Sequence, residues 1–529
     1  MLGDPESTVT YANIPGTRVV MLDKSTSQRR LEVRFTLLVL SLAFILVAPS
    51  AFTQSHAAED KVRKIDELMT YCYNAGTFNG TVLVAHEGEV IYKNAFGYAN
   101  FHNMEELRLT SVFSIGSISK QFTAMAIMIL KEQEKLSYED RLSDYFPEFP
   151  DYANKITIRN LLHHTSGIPN WMNSSVFRAR PGDFKDDITN DDVFEYLVQL
   201  DSLNFPPGDR YSYSNSGYVL LAMIVSKVSE QPFHEFMKQN IFDPLDMRNT
   251  LVWNITKPDI PNKTIGYDKF GDIDDFNILT AGDGGIYSTI EDLYKWDQGL
   301  YTEKLVSQET LKEAFTPGLL DGGNPSRILI DSTWGYGFGW LLRENGTENI
   351  VWHDGGFNGF QAIFYRELIN HELVIFLKNK GEPWPLYPIH EAVISILKGE
   401  PYEFPGIPIE IKMKQLIDEN GITESINKYH ELRKTHASEY NFSENQLIEL
   451  GYYYLSHQSF NEAKAIFKLS IEMYPNSYNT YDSYAEACML DGDSGEAIKN
   501  YKKSLELNPE NANAVEMLRT INEKKMNID

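Results

Sequence analysis

Cysteine and positive charge are both scarce in this 529-residue chain. The two cysteines, Cys72 and Cys488, lie in distant parts of the sequence, which excludes a disulfide framework and any metal site built on cysteine spacing. Lysine and arginine together number 48 against 74 aspartates and glutamates, so the formal net charge is −26. A chain this acidic is poorly suited to bind nucleic acid or an anionic membrane surface, and we expect no nucleic-acid partner.

One long apolar run stands near the N-terminus. A stretch that ends in basic residues at Arg34 leads into a mainly apolar run over residues 35–48, which small and polar residues follow. This order of segments is typical of a secretory signal. We therefore interpret residues 1–58 as an N-terminal extension with a signal segment, and expect the rest of the chain to be exported, periplasmic or secreted. The alternative is a membrane anchor over residues 35–52, about 18 residues long and at the lower limit of a spanning helix.

The chain is too long for one hydrophobic core of ordinary size, so we expect two or three folded units. Hydrophobic residues make up 42% and charged residues 23%, and an aromatic content of 12% argues against general disorder. Three prolines fall within residues 399–410, and helical periodicity replaces strand patterns after them. These changes predict a first domain over residues 60–398, a linker over 399–410 and an α-helical domain over 411–526.

A short motif in the first domain has the residues that nucleophilic chemistry needs. Ser117 and Lys120 stand three residues apart at the start of a predicted apolar helix, and therefore on the same helical face. A serine hydroxyl is a weak nucleophile until a base takes its proton, and a desolvated lysine near the positive end of a helix can be that base. The spacing alone is weak evidence, because Ser425 and Lys428 repeat it in a different setting.

Two polar stretches follow this motif at helix boundaries. The first is His164-Thr-Ser-Gly167, at the end of a short predicted helix. We expect His163 and His164 to form local hydrogen bonds at this helix end rather than to catalyse. The second is Tyr213-Ser-Asn215, which follows a Pro-Pro-Gly turn and directly precedes a buried helix. The rigid turn and the buried helix distinguish this stretch from the other Tyr-x-Asn pairs of the chain.

Two glycine-rich stretches come later in the first domain. Residues 281–285 read Ala-Gly-Asp-Gly-Gly before a predicted helix, without the lysine that a phosphate-binding loop requires after its glycines. We interpret this turn as tight packing near a site. The other stretch, His353-Asp-Gly355 with Gly356 after it, leads into predicted β-strands, where glycines allow another backbone to approach closely.

Together these motifs resemble those of the serine β-lactamase and penicillin-binding-protein superfamily. The motifs that carry the resemblance are Ser117-x-x-Lys120, His164-Thr-Ser-Gly167, Tyr213-Ser-Asn215 and His353-Asp-Gly355. The resemblance is closest to class C β-lactamases and to the related esterases and D-amino-acid-specific peptidases, and it covers about residues 60–400. It implies an α+β fold in which an antiparallel sheet flanked by helices and a helical lobe hold Ser117 between them. It implies neither a metal nor an organic cofactor.

The same resemblance implies a role for each residue of the motifs. The catalytic set is a nucleophile with two proton-transfer partners: Ser117, Lys120 and Tyr213. Which of the two partners is the general base stays open at this point. Asn215 would hold the lysine and the substrate amide, and the backbone N–H groups of Ser117 and Gly356 would form the oxyanion hole. The substrate-binding residues implied in this way are Asn215, His353, Gly355 and Gly356.

The third motif departs from the family pattern, in which a lysine is followed by a hydroxyl residue and a glycine. This chain has His353-Asp354-Gly355 instead. The usual pair receives a substrate carboxylate, whereas a histidine with an ordinary pKa of about 6.5 is mostly neutral at pH 7. Asp354 would add negative charge if its side chain faced the site. These residues therefore argue against efficient hydrolysis of β-lactams and of D-Ala-D-Ala peptides, which carry that carboxylate.

We expect an exported serine hydrolase that acts through an acyl-enzyme at Ser117 on an ester, an amide or a D-amino-acid peptide. The alternative among enzymes is a β-lactamase or a D,D-peptidase. The alternative of another class is a non-catalytic, penicillin-binding-like scaffold that works through its C-terminal domain. The sequence leaves the acyl donor and the oligomeric state open.

The C-terminal domain contains an internal repeat. Four residues recur 34 residues later: Ala463, Phe467, Ser470 and Pro475 become Ala497, Tyr501, Ser504 and Pro509. This pattern resembles the tetratricopeptide repeat over about residues 444–510, with a helix pair over 412–433 before it and a capping helix over 512–525 after it. Two repeats are fewer than an independent array needs, so we expect them to pack on the first domain or on the preceding helix pair. They form either a groove for a protein partner or a stabilising cap.

Overall fold

The computed structural model describes residues 58–178, 188–254, 259–275, 279–328, 333–344, 346, 348–381 and 386–526. The signal segment and the alternative membrane anchor predicted above both lie outside the described residues. Among the helices that are described, none combines the length and the apolar character needed to cross a bilayer. The fold presented below is that of the compact unit Val62–Asp529.

The chain up to Lys398 combines strands with helices. Its described strands are β1 (Gly80–His86), β2 (Glu89–Phe96), β3 (Tyr98–Asn100), β4 (Glu105–Glu106), β5 (Phe113–Ser114), β6 (Leu251–Val252), β7 (Ile286–Ser288), β8 (Gly335–Tyr336), β9 (Leu341–Glu344), β10 (Asn349–Phe357), β11 (Phe360–Glu367) and β12 (Glu372–Lys378). Its described α-helices are α1 (58–74), α2 (Ser119–Glu132), α3 (Leu142–Tyr145), α4 (Ile158–Leu162), α5 (Ser175–Arg178), α6 (Asn190–Val198), α7 (Asn215–Ser229), α8 (Phe233–Met237), α9 (Ile290–Leu300), α10 (Gln308–Ala314) and α11 (Leu386–Lys398). Short 3-10 turns lie at Gly116–Ile118, Asp151–Lys155 and Trp171–Asn173, and a π-helical turn lies at Lys238–Phe242.

Seven strands form one antiparallel sheet in the order β2-β1-β12-β11-β10-β9-β8. β11 and β12 are buried along their whole length, because helices cover both faces of the sheet. Ile363 and Tyr365 of β11 pack in the core that α1 and α11 form on one face. Ala362 and Phe364 pack with α2 and α7 on the other face, as the two-residue period of a strand requires. The predicted α+β fold is confirmed.

α2 and α7 lie at the centre of the helical lobe. Every residue of α2 from Ser119 to Leu130 is buried, and most of α7 is buried as well. β5 leads through the turn Gly116–Ile118 directly into α2. This turn contacts the glycines of β10, so Ser117 lies where the helical lobe meets the sheet.

Helices account for most of the described chain after Lys398. The described elements are β13 (Ile407–Pro408), α12 (Ile409–Asn420), α13 (Ile422–Thr435), β14 (Tyr440–Asn441), α14 (Glu444–Ser456), α15 (Phe460–Met473), α16 (Tyr478–Leu490), α17 (Ser494–Leu507) and α18 (Ala512–Met526). α14 with α15 and α16 with α17 correspond to the two predicted repeats. α12 packs on α14 and α13 on α15, and α18 follows the second repeat. α12 already begins at Ile409, within the segment interpreted from the sequence as linker.

Within each repeat, the two paired helices pack closely through a small residue and an aromatic ring. Gly451 of α14 packs on the ring of Phe467 in α15, where a Cβ on residue 451 would lie 2.4 Å from the nearest ring atom. A side chain at this position would push the two helices apart, so glycine is required for their close approach. The corresponding pair of the second repeat, Ala485 and Tyr501, is fully buried.

One loop of the first domain, which we call the docking loop (residues 267–275), contacts the helical domain. The side chain of Lys269 lies between two carboxylates, those of Glu410 and Glu449. The ring of Phe270 packs on Tyr453, with ring centroids 4.4 Å apart. The repeats therefore pack both on the first domain and on the preceding helix pair, which the sequence had offered as alternatives.

The stem of the docking loop also contacts the turn between β10 and β11. The backbone N–H of Gly359 donates to the carbonyl oxygen of Asp274 at 2.9 Å. A Cβ on Gly359 would lie 2.2 Å from the backbone nitrogen of Tyr267, so this contact also depends on glycine. The docking loop thus joins the helical domain to the end of β10.

Candidate active site

Ser117 lies in a single 3-10 turn immediately before α2. Gly116, which precedes it, has a φ of +51°, in the left-handed region that favours glycine. A Cβ on Gly116 would lie 2.7 Å from the backbone nitrogen of Gly356 in β10. The glycine therefore lets the serine turn approach the strand closely enough to share one site with it.

Lys120 is fully buried and its ammonium group contacts three oxygen atoms. Its Nζ donates to Ser117 Oγ at 3.1 Å, to Asn215 Oδ1 at 2.8 Å and to the carbonyl oxygen of Asp283 at 2.6 Å. Burial lowers the pKa of Lys120 to about 8, although the charges of Asp283 and Asp354 act in the opposite direction. A buried cation loses hydration, which disfavours its charged form. The amine is therefore within reach of the pKa range in which a general base is effective.

Tyr213 contacts the same serine from the other side. Its hydroxyl donates to Ser117 Oγ at 2.9 Å, and its ring centroid lies 4.9 Å from Lys120 Nζ. Burial raises the pKa of Tyr213 well above its ordinary value of 10.0. Tyr213 is therefore held as a protonated phenol, which can donate a hydrogen bond to the serine oxygen.

The histidines before Gly167 form hydrogen bonds to backbone groups of distant segments, and not at their own helix end as the sequence predicted. The Nδ1 atom of His164 accepts from the backbone N–H of Ser214 at 3.2 Å, and its ring lies against Tyr213 with centroids 4.4 Å apart. Nδ1 of His163 lies 3.0 Å from the carbonyl oxygen of Tyr336. Burial lowers the pKa of His163 to about 4 and that of His164 well below 6.5. Both rings are neutral at pH 7, and His164 supports the backbone that carries Tyr213.

Asn215 begins α7 and has two side-chain contacts in the site. Its Oδ1 accepts from Lys120, and its Nδ2 donates to the sulfur of Met172 at 3.0 Å. A thioether is a weak acceptor, so a carbonyl oxygen of a substrate would be a better partner for this amide. A cavity of about 90 Å³ lies beside these groups. It is lined by Ser114, Gly116, Ser117, Met172, Asn215, Asp283, Gly284, Gly285, Gly356 and Phe357.

His353 is buried on the face of β10 that meets the helical lobe. Its Nδ1 lies 2.6 Å from the carbonyl oxygen of Asp354, and its Nε2 lies 3.1 Å from the hydroxyl of Tyr336. A carbonyl oxygen can only accept, so Nδ1 carries the proton and Nε2 accepts from the tyrosine. Burial lowers the pKa of His353 below 6.5. The histidine is therefore neutral at pH 7, as the sequence predicted.

Asp354 points away from the site. Its Oδ2 accepts from the hydroxyl of Tyr387 in α11 at 2.6 Å, and neighbouring residues of a strand face opposite sides. Its side chain is 37% exposed. Because the side chain does not face the site, Asp354 places no negative charge against a substrate. Its charge still raises the pKa of Lys120.

The glycines of β10 lie directly against the serine turn. A Cβ on Gly355 would lie 2.0 Å from the carbonyl oxygen of Ile115 and 3.1 Å from the backbone nitrogen of Ser117. Gly356 lines the cavity with Ser117. This proximity is what the oxyanion hole predicted from the backbone N–H groups of Ser117 and Gly356 requires.

Sequence reasoning missed three side chains of the site: Met172, Asp283 and Tyr336. Asp283 lies in the glycine-rich turn that was interpreted as packing near a site, and an acidic residue between glycines was the available signal. The sequences around Met172 and Tyr336 carry no comparable motif. The second Ser-x-x-Lys pair is excluded, because Ser425 donates to the carbonyl oxygen of Gly421 and Lys428 pairs with Glu431 on the surface.

Comparisons with known proteins agree with the fold and the motifs. The β-lactamase family model matches residues 62–394, and a tetratricopeptide-repeat model matches residues 478–511. Over 357 residues the chain is 35% identical to a penicillin-binding protein of Bacillus subtilis (strain 168), covering 64% of this chain and 76% of that protein.

Solved structures extend the comparison. The structure of the octameric penicillin-binding protein homologue from Pyrococcus abyssi matches with a TM-score of 0.57 and 25% identity, over 68% of this chain and 82% of that one. The D-amino acid amidase from Ochrobactrum anthropi SV3 shares the fold, with a TM-score of 0.53 and 22% identity, over 65% and 98% of the two chains. The chain therefore belongs to the β-lactamase family, within the serine hydrolase superfamily, and ends in tetratricopeptide-like repeats.

Proposed function

We propose that the protein is an exported serine hydrolase that forms an acyl-enzyme at Ser117 with an ester, an amide or a D-amino-acid peptide. One observation carries this proposal: Ser117 Oγ is hydrogen-bonded both to the buried amine of Lys120 at 3.1 Å and to the phenol of Tyr213 at 2.9 Å. A serine that has only a packing role needs neither partner. Two titratable groups on one hydroxyl are the arrangement that activates a nucleophile.

Lys120 is the general base in this proposal. Its pKa of about 8 leaves part of the population as the neutral amine near neutral pH, whereas the pKa of Tyr213 is raised well above 10.0. Lys120 takes the proton of Ser117 while Oγ attacks the substrate carbonyl carbon. The negative charge that develops on the carbonyl oxygen is stabilised by the backbone N–H groups of Ser117 and Gly356, and one such donor is worth roughly 10²–10³ in rate.

Tyr213 is the proton donor to the leaving group in this proposal. Its hydroxyl lies 2.9 Å from Ser117 Oγ, so it can give its proton to the departing oxygen or nitrogen and recover one from the lysine beside it. Water then attacks the acyl-enzyme with the same groups acting in reverse order, which releases the acid and restores Ser117. Asn215 holds Lys120 in place and offers its amide to the substrate.

The polar groups of the site favour substrates without a carboxylate at the third motif. His353 is neutral and uses both ring nitrogens in hydrogen bonds, so it offers no cation where related enzymes have a lysine. The small cavity beside Ser117 suits a short acyl group. The similarity of the chain to penicillin-binding proteins favours a second candidate, a β-lactamase or D,D-peptidase.

A substrate panel tests the proposal and separates the two candidates. The panel consists of 4-nitrophenyl acetate and butyrate, D-alanine and L-alanine 4-nitroanilide, and a chromogenic cephalosporin, with wild type, Ser117→Ala and Ser425→Ala. We expect hydrolysis of an ester or amide that is lost only in Ser117→Ala, with little or no turnover of the cephalosporin. Preferred turnover of the cephalosporin would support the second candidate instead.

The scaffold alternative is tested without knowing the substrate. Intact-mass analysis after treatment with a fluorophosphonate probe is expected to show one adduct on wild type and on Ser425→Ala, and none on Ser117→Ala. Wild type that stays unlabelled across the pH range would remove support for the hydrolase and leave the scaffold.

Export is a further part of the proposal. The order of basic, apolar and small residues before residue 58 supports a signal segment. N-terminal sequencing of the protein from the extracytoplasmic fraction tests it, since a start near residue 58 supports cleavage and an intact N-terminus supports the membrane anchor.

A protein partner that binds the C-terminal repeats is the last part of the proposal. The match of residues 478–511 to a tetratricopeptide-repeat model supports it.

A further inference from the structure

The glycine-rich turn at residues 281–285 is held rigidly beside Lys120. The side chain of Asn190 makes two hydrogen bonds to the backbone of Ala281, at 3.1 and 2.7 Å. Thr123 of α2 donates to the carbonyl oxygen of Gly282 at 2.8 Å. Gly282 has a φ of +104°, and a Cβ on it would lie 2.4 Å from the carbonyl oxygen of Tyr218. The turn is therefore fixed against both central helices of the lobe.

This turn buries the side chain of Asp283 in the wall of the active site. The residue is only 4% exposed, and it lines the cavity beside Ser117. Its Oδ2 accepts from the indole N–H of Trp171 at 3.0 Å, while its backbone carbonyl accepts from Lys120 Nζ at 2.6 Å. Trp171 is itself buried, and its backbone N–H donates to Ser216 at 2.9 Å. Both the side-chain carboxylate and the backbone carbonyl of Asp283 are thus held in place.

A buried carboxylate is stable only where a cation or several donors compensate its charge. Burial raises the pKa of Asp283 above its ordinary value, and the charge of Lys120 is the largest of the effects that lower it. The single indole N–H of Trp171 is a weak compensation beside that charge. In return, the charge of Asp283 raises the pKa of Lys120. Each of the two residues therefore stabilises the charged form of the other.

Resting on the hydrolase function above, we propose that Asp283 is a positioning residue whose buried carboxylate is the counter-charge for Lys120 during acylation. When the serine attacks, its O–H bond breaks, the Oγ–carbon bond forms and the proton moves to Nζ. The amine then becomes an ammonium ion without access to water. A fixed negative charge beside it stabilises that ion, and with it the transition state in which the ion develops.

The other groups around Lys120 do not replace this charge. The titratable neighbours are Tyr213 and Tyr218, whose rings lie 4.9 and 5.7 Å from Nζ, and the neutral histidines His164 and His353. Asp354 is the remaining acid that acts on Lys120. It lies on the other face of β10, partly in solvent, where water screens its charge.

The test is the pH dependence of labelling of Ser117 by a fluorophosphonate, followed by intact mass, in wild type and Asp283→Asn. Loss of the negative charge lowers the pKa of Lys120. The rising limb of the profile is therefore expected to move to lower pH by about one unit, as removal of a nearby charge does. The plateau rate is expected to fall by up to about tenfold, because the lysine is then a weaker base.

Asp292→Asn is the matched control. Asp292 is a fully buried carboxylate that accepts from the backbone of Asn249 at 2.7 Å and from Thr250 at 3.0 Å, and its charge does not act on Lys120. We expect this variant to keep the wild-type midpoint. Trp171→Phe removes the indole donor together with part of the buried ring, and a smaller shift in the same direction is expected.

A second readout does not depend on catalysis. The ¹³Cε resonance of Lys120, labelled through lysine and assigned by its loss in Lys120→Arg, is titrated in Ser117→Ala and in Ser117→Ala/Asp283→Asn. A lower midpoint in the double variant supports the proposal even if the wild type were to react with no probe, which would count against the hydrolase alone. Equal midpoints in the two titrations, or an Asp283→Asn labelling profile that matches wild type, would overturn the role of Asp283.

Discussion

Burial shifts the pKa values of Lys120 and Tyr213, the two residues hydrogen-bonded to Ser117 Oγ, in opposite directions. The pKa of Lys120 falls to about 8, and the pKa of Tyr213 rises well above 10.0. The cause is the same in both, because a low-dielectric environment disfavours whichever form is charged, the ammonium of lysine or the phenolate of tyrosine. The same environment thus favours a neutral amine and a protonated phenol in two residues whose ordinary pKa values are nearly equal.

Tyr213→Phe tests this division of roles. The variant loses the donor to the leaving group, so we expect the rate of hydrolysis of an amide or ester to fall by on the order of 10²-fold. The neutral amine of Lys120 still forms as the pH rises through about 8, so the rising limb of the profile stays near that value. The measurement is the rate of hydrolysis, between pH 5 and 10, of the ester or 4-nitroanilide that the substrate panel identifies.

Tyr211→Phe is the control for this experiment. It removes the hydroxyl of a neighbouring tyrosine whose ring packs on His164 and Tyr336, and we expect a profile like that of wild type. A Tyr213→Phe protein that keeps a residual rate but has lost the limb near pH 8 would contradict Lys120 as the base.

β10 separates its functions by face and by position along the strand. His353 meets the helical lobe, Asp354 meets α11, and the glycines after them press on the serine turn. The alternation of side chains makes this possible within four consecutive residues. The element therefore places a neutral, buried histidine where the family pattern has a lysine.

His353→Lys tests whether that neutral histidine sets substrate preference. The variant places a cation where a β-lactam carboxylate would lie, and a charge-assisted hydrogen bond is roughly twice as strong as a neutral one. We expect the rate of acylation by benzylpenicillin to rise about tenfold relative to that of a neutral ester, a change that corresponds to about 1.4 kcal/mol.

The ratio of the two rates is measured by intact mass in wild type, His353→Lys and His353→Gln. Glutamine keeps hydrogen-bonding groups without charge, so its ratio is expected to stay near the wild-type value. Equal ratios in the lysine and glutamine variants would show that charge at this position does not govern the preference.

At the scale of the whole molecule, buried ion pairs connect the two domains. Lys269 of the docking loop is 12% exposed and lies 3.0 Å from Glu410, which is 4% exposed. Glu449 pairs with the same lysine. Isolated ion pairs on the surface contribute little to stability, but removal of one partner from a buried group leaves a buried charge with less compensation.

Lys269→Ala is therefore expected to lower the free energy of unfolding by about 3 kcal/mol. Urea unfolding followed by tryptophan fluorescence and circular dichroism measures the change, and calorimetry shows whether the helical domain unfolds first. Lys428→Ala removes an exposed lysine paired with Glu431, and we expect a loss of less than 1 kcal/mol. Similar losses in the two variants would mean that the docking loop adds no stability.

The sequence predicted the parts of the site that lie in short motifs. Ser117 with Lys120 and Tyr213 with Asn215 each stand within one turn or helix start, so local spacing identifies them. Asp283 meets Lys120 only because the chain returns to α2 after 163 residues, and no local pattern encodes that contact. The direction of Asp354 followed from strand alternation once the face of His353 was known, but the sequence alone did not say which face met the helical lobe.

The fold and its domains show the same limit. Helical periodicity and the 34-residue repeat predicted the C-terminal helices, because each repeat is built from neighbouring segments. The docking loop carried no such signal. Its Phe270 is partly buried and packs against the apolar core of the helical domain. In the sequence, a single phenylalanine in a turn is not distinguishable from an ordinary surface residue.

The docking loop makes the hydrolase domain a poor candidate for a detachable module. A gene shortened after Lys398 would expose Phe270 and strip Lys269 of its two partners. It would also free the loop that is hydrogen-bonded to the turn after the site glycines of β10. A hydrolase domain without the repeats would therefore need different residues at 267–275 to stay soluble and folded.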